Sequence, residues 1–261
     1  MKNISAVIIT RNEELNITDC LKSISWVDEI ILVDAESTDK TVELAKYFTS
    51  KVFIHRWEGF AKQKEFAVSQ ALNEWILNVD ADERISPFLK EEIISLIDKD
   101  IDGYYLRREN YFLKKHIKSC GWDNDYQLRL MRKSKTRLTD RLVHEGFAVD
   151  GKTERLKNRL VHYTFTSIDK TISKINHYSS LRAEELFKRN KKNGGFTIIA
   201  HGLAAFFRFF IVLRGYKDGV HGLIISIFNS ITTFLVYMKV WELQNEGKKI
   251  KEEQKVSENV F

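Results

Sequence analysis

The chain has one proline, Pro87, and two cysteines, Cys20 and Cys120, in 261 residues. Two distant thiols give neither a disulfide framework nor a metal-ligand spacing, and free thiols in a reducing compartment are expected. Glycine-rich phosphate loops are missing as well. The turn after the first apolar run reads Thr10-Arg11-Asn12-Glu13-Glu14, without G-x-G-x-x-G or G-x-x-x-x-G-K. That weighs against a dinucleotide dehydrogenase and against a P-loop enzyme. A nucleotide diphosphate held here needs another way to neutralise its charge, and a divalent cation on carboxylates is the obvious one. No signal-peptide pattern opens the sequence. The apolar run at 5–10 is too short for an h-region, and Arg11, Glu13 and Glu14 follow at once. Any catalytic part is therefore expected on the cytoplasmic side.

What is present can build a core. Hydrophobic residues make up 43% and aromatics 12%, with 17 Phe, so wholesale disorder is not expected. The net charge of +6 suits nucleic acid, an anionic membrane or anionic substrates, and does not choose among them.

The first hundred residues alternate between two periodicities. Segments 5–10 (SAVIIT), 29–33 (EIILV), 51–54 and 75–79 are short, apolar and rich in β-branched residues, as buried strands are. Helices are expected over 13–25, with Asn12 as N-cap, after caps at Ser37-Thr38-Asp39 through Tyr47, and over 60–72, and another opens at Ser86-Pro87. Strand–helix alternation with continuous apolar strands predicts an α/β fold with a mostly parallel sheet covered on both faces. Ligands in such sheets bind beyond the carboxyl ends of the strands. Thr10 to Glu13, Asp34 and Asp80 end three of them and should face one crevice.

The sharpest stretch is EWILNVDADE, residues 74–83. A buried strand ends in Asp80-Ala81-Asp82-Glu83. Two acids one residue apart can turn toward one crevice, where one takes a metal and the other a ribose hydroxyl. The bland alternative is that Asp80 caps the turn while Asp82 and Glu83 are solvated. From 103 to 163 strict alternation stops, with strand-like GYYLRREN and YQLRLMRK between charged loops. From about 168 the chain is helical, and 182–192 is strongly basic.

Four motifs in order, IITRNEE, EIILVDAESTDKT, KQKEFA and WILNVDADE, resemble the inverting family 2 glycosyltransferases with the GT-A (nucleotide-diphospho-sugar transferase) fold. The resemblance covers about residues 3–150. YQLRLMRK, RLVHE and YKDGVHGL are similar to the bacterial lipopolysaccharide inner-core β-1,4-glucosyltransferases, which add glucose to heptose. The resemblance implies a UDP-sugar donor, Mg2+ or Mn2+, and a lipid-linked glycan acceptor at the cytoplasmic face of the inner membrane. No nucleic-acid partner is expected. Capsule, polyprenyl-linked or protein acceptors are the alternatives, as is a non-catalytic membrane-associated scaffold.

Carried over position by position, Thr10, Asn12 and Glu13 line the uracil and ribose, and Asp34 hydrogen-bonds the base. Asp80 sits near ribose and metal, and Asp82 is the main metal ligand. Lys64 approaches the donor or is merely solvated. Asp39, in the Ser-Thr-Asp turn, is favoured as a helix cap. An inverting transfer also needs a carboxylate base. Glu145 in RLVHE is the best positional match, with Asp123 and Asp125 as rivals. His144 is a metal ligand, a diphosphate contact or a structural histidine. Arg129 and Arg132 hold diphosphate or an anionic acceptor, or are solvated at a strand edge. Trp122 is a sugar platform or a buried packing residue.

This divides the chain into a catalytic domain at 1–165 (donor half 1–100, acceptor half 101–165), a helical region at 166–245 and a charged, disordered tail at 246–261. The apolar stretches 196–213 and 220–241 approach the ~20 residues of a span. Arg208 and a polar stripe of Ser226, Asn229, Ser230 and Thr233 make interfacial helices the favoured reading over spans or ordinary packing.

Overall fold

The computed structural model describes residues 3–97, 99–138, 146–165, 167–189 and 194–258. They form two compact units, Met1–Tyr111 with Asn124–Thr164, and Phe112–Asp123 with Phe165–Phe261.

The first unit is built on β1 (Ile4–Thr10), β2 (Glu29–Asp34), β3 (Val52–Ile54) and β4 (Trp75–Asn78), joined through α1 (Ile17–Ser23), α2 (Thr41–Ala45) and α3 (Phe60–Ser69). Adjacent pairs β3–β2, β2–β1 and β1–β4 are all parallel. Residues of alternating parity feed two apolar layers. Ile4, Ala6, Ile8, Ile30 and Leu32 join one, and Val7, Ile31 and Val33 join the other. Both sheet faces are therefore covered, which is why these strands read as unbroken apolar runs.

After β5 (Glu83–Ile85) and α4 (Pro87–Leu96) come β6 (Gly103–Phe112), β7 (Lys115–His116), β8 (Tyr126–Arg132), β9 (Thr136–Leu138), β10 (Phe147–Val149) and β11 (Thr153–Phe165). Among the described residues the main sheet runs β3-β2-β1-β4-β8-β6-β11-β5, with β7 on β6 and β9–β10 as a separate ribbon. The pairs β4–β8, β8–β6 and β11–β5 are antiparallel. The sheet is mixed rather than mostly parallel, because helical crossovers cease after α4 and antiparallel pairs need none. Ser86 and Pro87 open α4 as expected, the Ser86 hydroxyl accepting the Leu89 N–H at 3.2 Å.

The second unit contains α5 (Ile168–Lys188), α6 (Gly195–Phe207) and α7 (Val220–Glu258). The expected boundary at 165 is corrected here, because Phe112–Asp123 belongs to this unit. Phe112, Ile117 and Cys120 form one buried cluster with Ile225, flanked by Trp122, Phe165 and Phe209. Helices α6 and α7 approach closely at Gly202, and α7 meets the turn before it at Gly222. A Cβ on Gly202 would lie 2.3 Å from the Phe234 ring, and one on Gly222 would lie 1.8 Å from the Gly215 carbonyl oxygen. The polar stripe of α7 serves this packing. Ser226 is fully buried, and the Ser230 hydroxyl donates to the Gly202 carbonyl at 2.8 Å. Helix α7 also runs on through the charged residues to Glu258, where the sequence reading placed a disordered tail. Glu, Lys and Gln are good helix formers, which extends it.

Candidate active site

The carboxyl ends of β1, β2 and β3 lie side by side, Thr10 opposite Asp34 and Asp34 opposite Ile54. Beyond that edge the Ala35 N–H donates to the Thr10 carbonyl at 2.8 Å and the His55 N–H to the Asp34 carbonyl at 2.9 Å. Thr10 is buried, and its hydroxyl has no partner among the described residues. Asp34 is fully buried and accepts the Ser37 N–H at 2.7 Å and its hydroxyl at 2.5 Å.

Asn12 is not the N-cap of α1, which starts at Ile17. With φ of 55°, a region asparagine tolerates, it ties the β1 turn to the β2 turn. Its N–H donates to the Ser37 hydroxyl at 2.7 Å, and its side-chain oxygen accepts the Thr38 N–H at 2.8 Å. The Glu13 N–H donates to the Thr41 hydroxyl at 2.8 Å, and the Glu13 carboxylate accepts the Asn16 amide at 2.7 Å. Asp39 accepts the Thr41 N–H at 3.0 Å and the Glu14 N–H at 3.1 Å, locking the start of α2 to the first turn.

Beyond β4 lies a charge cluster. Glu83 is not solvated but fully buried. Its carboxylate accepts the Asp80 N–H at 2.9 Å, Arg108 Nε at 2.7 Å and Arg129 Nη2 at 2.6 Å. Asp80 is paired with Arg108 at 2.9 Å and with Arg129. Burial works against the charged form of Asp80, but Arg129, Lys64, Arg108 and His162 outweigh it and hold the carboxyl well below the usual range. Lys64 reaches the same place from α3, its ammonium 5.8 Å from the Phe147 ring centre. Burial lowers its affinity for a proton, and the charge of Asp80 opposes that.

Asp82 is left outside those arginine pairs, and His162 on β11 faces it, Nε2 lying 3.5 Å from Oδ1. The pairing of β11 with β5 sets His162 opposite Glu83 and so delivers it there. His162 Nδ1 lies 2.6 Å from Asn110 Oδ1, while the Asn110 amide nitrogen turns 3.4 Å from Asp125. This network assigns the proton to Nδ1, leaving the Nε2 lone pair toward Asp82. Two acceptors facing each other form an arrangement that a cation can bridge.

Not every expected residue is free to meet a ligand at the site. Arg129 is only 4% exposed; its Nη2 bonds both Asp80 and Glu83, while its Nε is buried without a partner among the described residues. Arg132 pairs with Trp75 at the other end of β4 and stacks 4.8 Å over its ring, so it is away from the carboxyl edge. Antiparallel β8 carries these two arginines to different places along one strand. Trp122 belongs to the second unit, packed edge-on against Phe112 at 6.3 Å. Asp123 lies in that unit too, whereas Asp125 is 3.6 Å from Arg108 and thus beside Asp80. His144 and Glu145 lie outside the described residues.

Sequence reasoning missed Arg108, Asn110 and His162. It also missed His55, which stacks on Phe66 with ring centres 4.4 Å apart. His55 Nδ1 and the Gln63 carbonyl oxygen are buried without partners among the described residues. For His162 a signal existed. Leu156 and Leu160 are buried on β11, so a period of two carries the inward face to residue 162.

The glycosyl transferase family 2 profile matches residues 5–149. An uncharacterized glycosyltransferase of Rickettsia typhi is 33% identical over 267 residues, covering 96% of this chain and 90% of the relative. The lipopolysaccharide core biosynthesis glycosyltransferase LpsC of Rhizobium meliloti is 29% identical over 248 residues, 92% of each chain. Among solved structures, S. aureus TarS 1–349 in complex with UDP-GlcNAc aligns over 94% of this chain and 92% of that one, at 15% identity and a TM-score of 0.49. A profile matching more than half of the chain, and a relative one-third identical along nearly all of it, make this protein a member of glycosyl transferase family 2, a glycosyltransferase with a GT-A-like fold.

Proposed function

We propose that the protein transfers a sugar, glucose, from UDP to a lipid-linked glycan such as the heptose of a lipopolysaccharide inner core. The product linkage is β, formed by a single displacement at the cytoplasmic face of the inner membrane. The observation that carries the donor side is the acid pair after β4, Asp80 held by arginines and Asp82 left open beside His162. The relative from Rhizobium meliloti, named for lipopolysaccharide core biosynthesis, supports the acceptor class.

The residues fit a divalent cation. Asp82 and His162 offer one oxygen and one nitrogen donor at an open position, with the imidazole oriented by Asn110. Among the described residues no three metal-ligating groups close around an ion. An ion taking one or two protein ligands, with phosphate and water completing its shell, suits such a place. When bound, the cation neutralises charge growing on the departing diphosphate.

The chain's own groups do the rest. Thr10, Asn12, Glu13 and Asp34 line the uracil and ribose end, where the unpartnered Thr10, His55 and Gln63 atoms can take hydrogen bonds from a nucleoside. Asp80, pinned by Arg108 and Arg129, presents its remaining acceptor capacity to the ribose. Lys64 adds positive charge for the diphosphate. Glu145 takes the proton from the attacking acceptor hydroxyl. Asp125 is the rival with geometric support, since Arg108 ties it to Asp80. The helical stretches Gly195–Val212 and Val220–Asn245 keep the enzyme at the membrane, being long and apolar enough to cross one by length and composition.

Calorimetric titration of UDP, with and without Mn2+, tests the donor site in wild type and Asp82→Ala. Metal-dependent binding that the variant loses is the expected result. No UDP binding by folded wild type overturns the reading.

A further inference from the structure

We infer that the turn joining α6 to α7, together with the hairpin Phe112–Asp123, forms a binding site for the phosphates of an anionic lipid surface. The inference rests on the membrane reading above and adds which end of the helix pair meets the headgroups.

The site is built by a buried carboxylate. Asp218 is 6% exposed. Its Oδ2 accepts the Lys118 N–H at 3.0 Å, the Ser119 N–H at 2.8 Å and the Ser119 hydroxyl at 2.5 Å. The Lys115 ammonium donates to the Asp218 carbonyl at 2.7 Å, and the Cys120 N–H to the Leu213 carbonyl at 2.9 Å. These bonds fix the hairpin against residues 213–218. They bring Lys114 and Lys118 to the segment that carries Arg208, Arg214 and Lys217. All five side chains are exposed, and none forms an ion pair with another described residue. Asp218 is the only acid between residues 194 and 241, and it is turned inward. No exposed acid within residues 194–241 offsets the five cations.

The same end carries exposed apolar groups. Phe207, Ile211 and Val212 lead into the turn, and Tyr216 and Val220 lead out of it, each at least half exposed. Uncovered stripes continue along both helices, through Ile199 and Leu203 on α6 and through Ile227 and Ile231 on α7. Apolar side chains flanked by unpaired lysine and arginine suit the boundary between acyl chains and phosphates. A surface of water-exposed protein would leave the apolar half uncovered. A re-entrant hairpin would drive five cations into the hydrocarbon, where each is strongly disfavoured. The turn therefore sits at headgroup depth, with α6 and α7 in the interface.

Flotation of the full-length protein tests this, using vesicles of phosphatidylcholine alone and with phosphatidylglycerol. The variant Lys118→Gln, Arg214→Asn, Lys217→Gln removes three cations, and asparagine suits the left-handed φ of 57° at position 214. Each cation near an anionic surface contributes roughly fivefold in partitioning, so the triple variant should bind the anionic vesicles on the order of a hundredfold more weakly. Its binding to phosphatidylcholine should match wild type. A control lacking the exposed charges of Lys22, Lys46 and Lys157 in the first unit should keep the wild-type preference. An unchanged preference in the turn variant overturns the site, as does a wild-type preference insensitive to salt. Displacement by soluble glycerophosphate also overturns it, assigning the cluster to a free anion instead. Wild type that floats with neither vesicle refutes the membrane reading itself.

Discussion

His162 Nε2 faces Asp82 Oδ1 across 3.5 Å, and Asn110 holds the far side of the imidazole at 2.6 Å. The pair joins β11 to the turn that follows β4. An imidazole aimed by a side-chain oxygen behind it is the usual support of a metal-binding histidine.

The first prediction concerns that support. Asn110→Ala removes the 2.6 Å partner of Nδ1 without touching Asp82, leaving the Thr164 hydroxyl at 3.0 Å to hold the ring less firmly. Mn2+-dependent UDP binding should weaken about 10- to 100-fold. Calorimetry with and without Mn2+ reads it, and UDP binding without the ion should be unaffected. Equal weakening in both conditions would assign Asn110 to packing alone.

Arg129 should prove to be a stability residue first. Arg129→Met leaves Glu83 and Asp80 with Arg108 alone, in a place where Glu83 is fully buried. Removing one partner of such a buried pair costs about 3–5 kcal/mol. Urea denaturation measures it. Arg129→Met combined with Glu83→Leu should be less destabilised than the two single variants added together.

The proton acceptor can be assigned by turnover. Glu145→Gln should lower kcat by roughly 100- to 10,000-fold while UDP affinity stays at the wild-type value. Should Asp125→Asn instead produce that split, the base is Asp125, reached through Arg108.

A pH effect is expected at the opposite end of the sheet. Burial alone would raise the Glu29 carboxyl, but the Lys51 ammonium, the Ser5 hydroxyl and the Leu72 N–H outweigh it and hold it below its ordinary value of 4.5. A carboxylate depressed in the folded state adds stability above its unfolded pKa, and that stability is lost as pH falls through the folded one. Wild type should therefore lose stability below about pH 4.5 more steeply than Glu29→Gln. Chemical denaturation at a series of acidic pH values compares the slopes.

Gly222→Ala should disrupt the second unit. Its added Cβ would fall 1.8 Å from the Gly215 carbonyl oxygen, which is backbone and cannot swing aside. Overpacking typically costs about 1–3 kcal/mol, and a backbone clash belongs at the upper end. Thermal melting should show a lowered transition, with UDP binding by the folded protein preserved.

The parallel half of the fold was legible because strands buried on both faces announce themselves as short apolar runs. The position of Asp80 and Asp82 just beyond β4 was legible, because the apolar run of that strand stops right before them. Arg108, Asn110 and His162 were not. They arrive through antiparallel pairings of β6, β8 and β11, and no local pattern says which distant strand lies beside which. Glu83 was not read into the site for a similar reason. An acid in a turn looks solvated until the two arginines that bury it are found on β6 and β8. Arg132 failed in the opposite direction, since proximity to Arg129 in sequence hid the distance that an extended strand puts between them.

The Asp218 bonds to Lys118 and Ser119 also bear on how this enzyme can be dissected. The segment Phe112–Asp123, part of the second unit, finds its partners a hundred residues later in the chain. A protein shortened before α6 would keep Phe112, Ile117 and Cys120 but lose Ile225 and Phe209, which cover them. No single cut therefore yields a clean soluble catalytic fragment. Excision demands two changes made together, removal of the helices and replacement of the hairpin by a short polar turn.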